Sequence, residues 1–279
     1  TGCDYCATQE FMTGQAMLPV VIQNREDLRQ CYDNTSICQS IRQYQQNPAD
    51  FNGDPINALR NQLFLETEQN LLANSEAQIY YLEAPTGAGK TNMAINLTLR
   101  VLEMDPKINN IFYIFPFNTL VEQTKETLLP LFGDQLAVIN SITPVTMGRD
   151  DRQDNYEAAW LDHIFNNYPI VLTSHVNFFN ALFGCGRVQC FPLLKLCNSV
   201  VVLDEIQSYK NSIWREIISF LQCYAQQLNI KIIIMSATLP QLDKLLRDVD
   251  IQFATLVNDP QKYYRNPLFQ GRVRQDFSL

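Results

Sequence analysis

The sequence lacks the features that mark membrane and secreted proteins. It has no uninterrupted run of about 18 apolar residues, the length that a membrane-spanning helix needs. It opens Thr1-Gly2-Cys3-Asp4, without Met and without the basic and apolar regions of a signal peptide. We therefore expect a cytoplasmic protein that does not bind membranes, and the missing Met leads us to expect a piece of a longer chain.

Positive charge is also scarce, since 21 Lys and Arg stand against 29 Asp and Glu, for a net charge of −8 in 279 residues. This balance argues against the broad basic surface of many nucleic-acid-binding proteins. It does not exclude a protein that holds a strand through backbone amides and hydroxyl groups. With 46% hydrophobic residues, a chain of this length buries roughly 75% of the surface of its unfolded form, enough for one full domain with flanking pieces.

Eight cysteines occur without a secretory signal, and we interpret them as reduced, buried thiols. The alternative is a four-sulfur zinc site made by Cys3, Cys6, Cys31 and Cys38. The first pair has the Cys-x-x-Cys spacing of zinc ligands, but six residues separate the second pair. The spacing therefore favours ordinary thiols.

A phosphate-binding loop is the strongest motif present. A short apolar strand runs into residues 84–91 (Ala-Pro-Thr-Gly-Ala-Gly-Lys-Thr), and a helical pattern begins directly after the loop. Gly87 and Gly89 leave room for backbone N–H groups to close around an anion, Lys90 would reach the β- and γ-phosphates, and Thr91 would ligate Mg²⁺. A chance Gly-Lys-Thr in a turn is disfavoured by the strand before it and the helix after it. The predicted nucleotide-binding residues of the loop are Thr86, Gly87, Ala88, Gly89, Lys90 and Thr91.

Apolar runs that fit buried strands alternate with helical patterns along the chain. The predicted strands are 79–82, 110–115, 135–139, 170–173, 199–203 and 231–235, and the bounded helices are 26–37, 156–165, 176–183 and 213–228. This alternation predicts an α/β fold, a mostly parallel sheet with helices on both faces. Ligands of such sheets bind beyond the carboxyl ends of the strands.

Two acidic residues follow the strand 199–203. Asp204 would hold Mg²⁺, and Glu205 would orient and deprotonate an attacking water molecule. The two can divide these roles because consecutive side chains leave a strand end in different directions. The alternative is a solvated acidic turn, which the upstream phosphate-binding loop disfavours.

Small hydroxyl residues, Ser236-Ala237-Thr238, follow the strand 231–235. At this place they can link a hydrolysis site to movement of a nucleic-acid strand. They can also cap a helix, and the two roles are compatible.

Together these motifs resemble a superfamily 2 helicase. The loop has Ala84 where the general pattern has Gly, a form common in helicases and translocases. Gln207, where many relatives carry Asp or His, resembles the CRISPR-associated helicase–nuclease of type I systems. The resemblance implies a RecA-like P-loop domain that uses ATP and Mg²⁺, with Lys90 and Glu205 as the catalytic residues. The coupling residues that it implies are Gln207, Ser236, Ala237 and Thr238.

Two further segments are similar to DNA-contacting motifs of this family, residues 115–123 and 173–179. They imply that Thr119, Thr173 and Ser174 contact phosphates of single-stranded DNA through hydroxyls and neighbouring amides. Adenine contact would come from Arg60 or Gln62, upstream of the loop. The alternative for these two is a pair of exposed polar helix residues.

The resemblance also assigns a domain to each part of the chain. Residues 1–20 are similar to the close of an HD nuclease domain, in which an Asp, here Asp4, completes a metal site. Residues 21–52 are polar and predict a linker, 53–257 the first RecA-like domain, and 258–279 the lead-in to a second RecA-like domain.

Two elements of such a helicase–nuclease are missing from the sequence. It has only two histidines, His163 and His175, so the HD nuclease site cannot form within it. The second RecA-like domain would carry arginine fingers, which are worth roughly 10³–10⁵ in rate in related enzymes. We therefore expect this chain alone to bind ATP weakly and to hydrolyse it very slowly.

Three functions remain open. The first is the helicase half of a CRISPR effector in antiviral defence, with single-stranded DNA and the target-recognition complex as partners and a metal-dependent DNA nuclease in the full-length protein. The second is another superfamily 2 helicase acting on DNA or RNA, and the third is a non-enzymatic docking module. Gln207 and the segment around Asp4 favour the first. A transporter ATPase is disfavoured, because Ser-Ala-Thr after the Asp-Glu strand has no role there.

Overall fold

The computed structural model describes residues 2–14, 20–116, 118–139, 163–186, 189–206, 214–237 and 253–270. Its helices are α1 (Gly2–Thr13), α2 (Arg25–Asp33), α3 (Ser36–Gln46), α4 (Pro55–Ala73), α5 (Lys90–Met104), α6 (Asn118–Phe132), α7 (His175–Phe183), α8 (Leu193–Leu196), α9 (Trp214–Leu228), α10 (Pro260–Tyr264) and α11 (Pro267–Gln270). Its strands are β1 (Ile79–Glu83), β2 (Asn110–Phe115), β3 (Leu136–Ile139), β4 (Ile170–Ser174), β5 (Ser199–Leu203), β6 (Ile230–Ser236) and β7 (Phe253–Thr255). Short 3-10 turns lie at Pro48–Phe51 and Gly133–Gln135.

These strands form one sheet in the order β3-β4-β2-β5-β6-β1-β7. Every recorded pairing is parallel. This is the RecA-like arrangement that the sequence predicts. Because β5, β6 and β1 are neighbours, the residues that follow these three strands meet at one edge of the sheet.

The central strands are buried on both faces, and alternate residues pack into two separate hydrophobic clusters. Along β1, Tyr80 and Leu82 belong to one cluster, while Ile79 and Tyr81 belong to the other. The first cluster contains side chains from α2–α6, and the second contains side chains from α7 and α9. Continuous apolar strands are the expected consequence of a parallel sheet that is covered on both sides.

Residues 21–52, which the sequence predicts to be a linker, instead contain α2 and α3. Leu28, Tyr32 and Ile41 of these helices are buried and belong to the larger core cluster. Thr35 begins α3 by accepting a hydrogen bond from the Cys38 backbone N–H, so the single helix predicted over 26–37 is wrong. A polar segment can still carry a few apolar residues at helical spacing. Their burial packs α2 and α3 against the rest of the domain.

One strand was not predicted, one predicted helix lies mostly outside the described residues, and one predicted strand has the expected bounds. β7, which pairs with β1, has no counterpart among the predicted strands. The predicted helix 156–165 lies outside the described residues except for 163–165. The predicted strand 199–203 is confirmed with the same bounds.

No helix in the described part of the chain is long and apolar enough to cross a membrane.

Candidate functional site

The phosphate-binding loop joins β1 to α5. Gly87 and Gly89 have positive φ values of 80° and 92°, a conformation that residues with a side chain rarely adopt. Gly89 is also the residue that precedes α5, so the helix N-terminus and its partial positive charge directly follow the loop. The local backbone therefore has the form that binds a phosphate group.

Lys90 is the first residue of α5, and its side chain is largely buried. Its Nζ donates a hydrogen bond to the Ala84 carbonyl (3.3 Å) and lies 3.9 Å from Oε1 of Glu205. Burial lowers the pKa of the Lys90 ammonium group below its ordinary value, and the negative charges of Glu205 and Asp204 offset only part of this shift. A buried cation with this environment gains an additional partner when an anion enters the site.

Asp204 and Glu205 directly follow β5. The Asp204 backbone N–H donates to the Ile114 carbonyl (3.0 Å), and the Glu205 backbone N–H donates to Oδ1 of Asp204 (2.8 Å). Glu205 has a positive φ of 48°, which is uncommon for a residue with a side chain and turns the chain sharply at the strand end. Burial, and next the charge of Glu205, raise the pKa of Asp204 to about 6.

The two carboxylates and the lysine open into one cavity of about 580 Å³. Asp204 and Thr91 both line it, and carboxylate and hydroxyl oxygens are the donors that Mg²⁺ prefers. Two adjacent acidic groups, one of which resists ionisation, form a site that a divalent cation would stabilise. The donor set therefore fits the predicted Mg²⁺, which would neutralise phosphate charge when bound.

Helix α3, which the sequence patterns did not predict, forms another wall of the cavity. Ser36, Ile37, Ser40 and Ile41 of α3 line it, together with Asn57 of α4. The spacing of Ile37 and Ile41 matches one face of a helix, and this signal was available in the sequence.

Arg60 and Gln62 on α4, the predicted adenine contacts, differ in their positions. Arg60 lines the cavity, and its Nε donates to the Gly87 carbonyl (3.0 Å). Gln62 and Thr86 are not among the residues that line this cavity in the described ranges. Arg60 therefore supports the phosphate-binding loop through a hydrogen bond, and the adenine contact stays a prediction.

The coupling motif begins at the end of β6, between the other two strand ends. Ser236 is buried, and its carbonyl accepts a hydrogen bond from the Ala84 N–H (3.2 Å). Ala237 follows and is also largely buried. Thr238 and Gln207 lie outside the described residues, so the coupling role stays a prediction.

The predicted strand contacts at the end of β4 use their hydroxyls internally. Thr173 is 2% exposed and donates to the Ile139 carbonyl, and Ser174 accepts from the Asn177 N–H at the start of α7 (3.5 Å). In this conformation, neither hydroxyl points freely into solvent. Thr119 lies in α6, but its side chain is outside the described residues, and DNA contact by all three stays a prediction.

The described part of the amino-terminal segment carries no assembled metal site. Asp4 is an exposed residue of α1. The part of the chain that the structure describes contains no group of three or more His, Cys, Asp or Glu that could hold a metal ion. The zinc alternative therefore has no support there. Of the eight cysteines only Cys38 is buried, two are partly buried and five are exposed, so the expectation of buried thiols is wrong for most of them.

Comparison with known proteins supplies a family for this site. A family model described as DEAD/DEAH box helicase matches residues 61–245, more than half of the chain. This span includes the phosphate-binding loop, Asp204-Glu205 and Ser236-Ala237.

Among curated proteins, the CRISPR-associated nuclease/helicase Cas3 of Haloferax volcanii is 28% identical over 188 residues, which covers 61% of this chain and 20% of that protein. The chain thus spans about one fifth of the length of this relative. Two solved structures are similar at 16% identity. One is the DUF1998 helicase MrfA bound to DNA, with a TM-score of 0.48 over 68% of this chain and 26% of that one. The other is the Hef helicase domain of Pyrococcus furiosus, with a TM-score of 0.42 over 75% of this chain and 40% of that one.

Proposed function

Because this chain belongs to the DEAD/DEAH box helicase family, we propose that it is the ATP-binding half of an ATP-dependent single-stranded DNA helicase or translocase that acts in CRISPR-based antiviral defence. The observation that carries the proposal is the meeting of Lys90, Asp204 and Glu205 in one cavity at the carboxyl ends of β1 and β5. The similarity to a protein named CRISPR-associated nuclease/helicase, together with Gln207, supports the finer assignment.

The site residues have distinct roles in this proposal. The phosphate-binding loop and the α5 N-terminus hold the β- and γ-phosphates, and Lys90 places a positive charge against the phosphoryl group that is transferred. Thr91 and Asp204 provide oxygen ligands for Mg²⁺. Glu205 positions the attacking water molecule and accepts its proton.

The proposed whole protein would contain a second RecA-like domain that closes over the bound ATP. Closure and reopening would move single-stranded DNA across the edge of the sheet that carries Thr173 and Ser174. An acidic chain, with a net charge of −8, would hold the strand through backbone amides, which read no base sequence. Its proposed partner is the CRISPR target-recognition complex.

The choice of nucleic acid tests the finer proposal. ATP hydrolysis by the full-length protein is measured with single-stranded DNA and with RNA of the same sequence and length. We expect DNA to stimulate hydrolysis at least about tenfold more than RNA does, with the Glu205→Gln protein as the inactive control. Equal or greater stimulation by RNA would leave the helicase family intact and overturn the assignment to DNA.

A further inference from the structure

Helix α10, near the end of the described chain, carries two consecutive tyrosines that point to different parts of the molecule. Tyr263 donates a hydrogen bond to Oε2 of Glu66 (2.6 Å), whereas Tyr264 donates to the Ala237 carbonyl (2.6 Å). Consecutive helical residues differ by about 100° in direction, so one short helix contacts both α4 and the motif that follows β6.

The segment that carries α10 is held against β1 and α4 by hydrogen bonds and by the burial of Tyr263. Leu256 donates its backbone N–H to the Tyr81 carbonyl of β1 (2.8 Å), and its carbonyl accepts from the Asn70 side chain of α4 (2.9 Å). Asn258 donates its backbone N–H to Oε1 of Glu66 (2.7 Å). Tyr263 itself is 1% exposed. The hydroxyl of Tyr264 is therefore presented to Ala237 by a segment that is anchored at several points.

The Ala237 carbonyl has a specific place in the site. The preceding carbonyl, that of Ser236, accepts from the first residue of the phosphate-binding loop (3.2 Å). Two consecutive carbonyls at the end of β6 thus bind the loop on one side and Tyr264 on the other. Since β6 lies between β1 and β5, this strand end stands between the phosphate-binding loop and Asp204-Glu205.

The Tyr264 hydroxyl is a hydrogen-bond donor at neutral pH, and its surroundings do not change this. Burial raises the pKa of Tyr264, and Glu83 and Glu205 raise it further. The phenol therefore stays protonated at neutral pH and continues to donate to Ala237.

We propose that Tyr264 is a positioning residue for ATP hydrolysis: its hydroxyl holds the Ala237 carbonyl and so fixes the end of β6 between the phosphate-binding loop and Glu205. This inference depends on the proposed ATPase function. Tyr264 is not among the residues that line the nucleotide cavity in the described ranges, so it acts through the loop and not on ATP directly. Its loss should lower the rate of hydrolysis and leave ATP affinity nearly unchanged.

The two tyrosines provide a matched pair of variants. Tyr264→Phe and Tyr263→Phe each remove one hydroxyl, and each hydroxyl makes one 2.6 Å hydrogen bond from the same helix. In the full-length protein, kcat and KM for ATP are measured with and without single-stranded DNA, alongside the thermal unfolding of each variant. We expect Tyr264→Phe to lower the DNA-stimulated kcat about fivefold with little change in KM, as for the loss of one hydrogen bond that positions the site. Tyr263→Phe should lower the unfolding temperature and keep the ratio of stimulated to basal rate.

Each outcome of this experiment separates the inference from the proposed function. If the unmodified protein shows no nucleic-acid-stimulated ATPase, the proposed function fails, and the inference fails with it. If it is stimulated and Tyr264→Phe keeps the wild-type kcat, or if both variants lose activity in proportion to stability, only the role of Tyr264 is overturned. A Tyr264→Phe protein that neither unfolds cooperatively nor binds ATP would show that the hydroxyl supports the fold as a whole, and it would overturn the inference as well.

Discussion

The two walls of the nucleotide cavity have different origins. One wall consists of the phosphate-binding loop and Asp204-Glu205, residues that follow β1 and β5 directly in sequence. The other consists of Ser36, Ile37, Ser40 and Ile41, on a helix that reaches the cavity only through packing on the domain. The first wall carries Lys90 and the two carboxylates, and the second offers apolar side chains and hydroxyls. Helix α4 adds Asn57 and the charged Arg60 to the lining.

Because of this difference, we expect the two walls to bind different parts of the nucleotide. A triphosphate and its cation need charges at fixed positions, and strand ends supply these because the sheet sets their spacing. A base or sugar needs a surface of suitable shape, which α3 can provide. Tyr32 of α2 connects the walls: its hydroxyl donates to the Asn92 carbonyl in the first turn of α5 (2.9 Å), and its carbonyl accepts from the Thr35 hydroxyl at the start of α3 (2.7 Å). Substitutions on the charged wall should therefore have the larger effects.

The largest effect is expected for Glu205→Gln. The substitution keeps the size of the side chain but removes the base and its charge, so ATP should still bind while hydrolysis falls by about 10²–10⁴ in the full-length protein. Single-turnover hydrolysis and nucleotide titration measure the two steps separately. Normal hydrolysis by this variant would remove Glu205 from the proposed role.

Lys90→Ala should have the next largest effect, on affinity. It removes a buried cation from the phosphate site and should weaken ATP binding about 100-fold, since hydrogen bonds to charged groups are worth about 1.5–3 kcal/mol. The fold should persist. Titration with a fluorescent ATP analogue measures the change, and Lys107→Ala, at an exposed position on the loop before β2, is the control. Unchanged affinity in Lys90→Ala would contradict the assignment of the charged wall.

Asp204→Asn tests the charged wall without a ligand. The folded-state pKa of Asp204, about 6, lies above its ordinary value of 3.8, so the folded chain binds the proton more tightly than the unfolded chain. The stability from this group is full below about pH 4 and is lost as the pH rises through about 6, where the ionised carboxylate remains buried. In EDTA at pH 8, Asp204→Asn should raise the free energy of unfolding by about 1–2 kcal/mol.

This gain should disappear as the pH falls to about 4, and urea unfolding at several pH values measures it. Asp134→Asn, an exposed aspartate between α6 and β3, should show no such change. A gain of equal size at both pH values would mean that burial does not raise the pKa of Asp204 in the folded chain.

The same contrast separates what the sequence predicts from what it does not. Lys90, Asp204 and Ser236 lie near one edge of the sheet, as expected, because each stands at the end of a continuous apolar strand or shortly after it. A parallel sheet brings such strand ends to one edge. Residues 21–52 were wrongly predicted to be a linker because their polar composition conceals a few buried residues. The predicted helix 26–37 also ran past Thr35, the residue that caps the N-terminus of α3. Composition averages over a segment, whereas packing depends on single faces of its helices.

Other features depend on contacts between distant residues. β7 has three residues and exists through its pairing with β1, which no local pattern indicates. Thr173 belongs to a segment that resembles a DNA-contacting motif, but the end of β3 beside it accepts its hydrogen bond. The role proposed for Tyr264 depends on its hydrogen bond to the Ala237 carbonyl, and only the fold brings these two residues together. Motifs thus locate the chemistry, and tertiary contacts decide which groups remain available for it.

The smallest effect is expected from Ile37→Ala, on the wall that α3 forms. Ile37 is 37% exposed and faces the cavity, so a bound nucleotide would cover part of its side chain. Loss of about 30 Å² of apolar contact costs about 0.8 kcal/mol, a factor of about 4 in ATP affinity. Gln45→Ala, exposed on the same helix and away from the cavity lining, should bind ATP as the unmodified chain does. If Ile37→Ala also binds ATP normally while Lys90→Ala does not, then α3 closes the cavity without touching the nucleotide, and the binding energy comes from the other residues that line it.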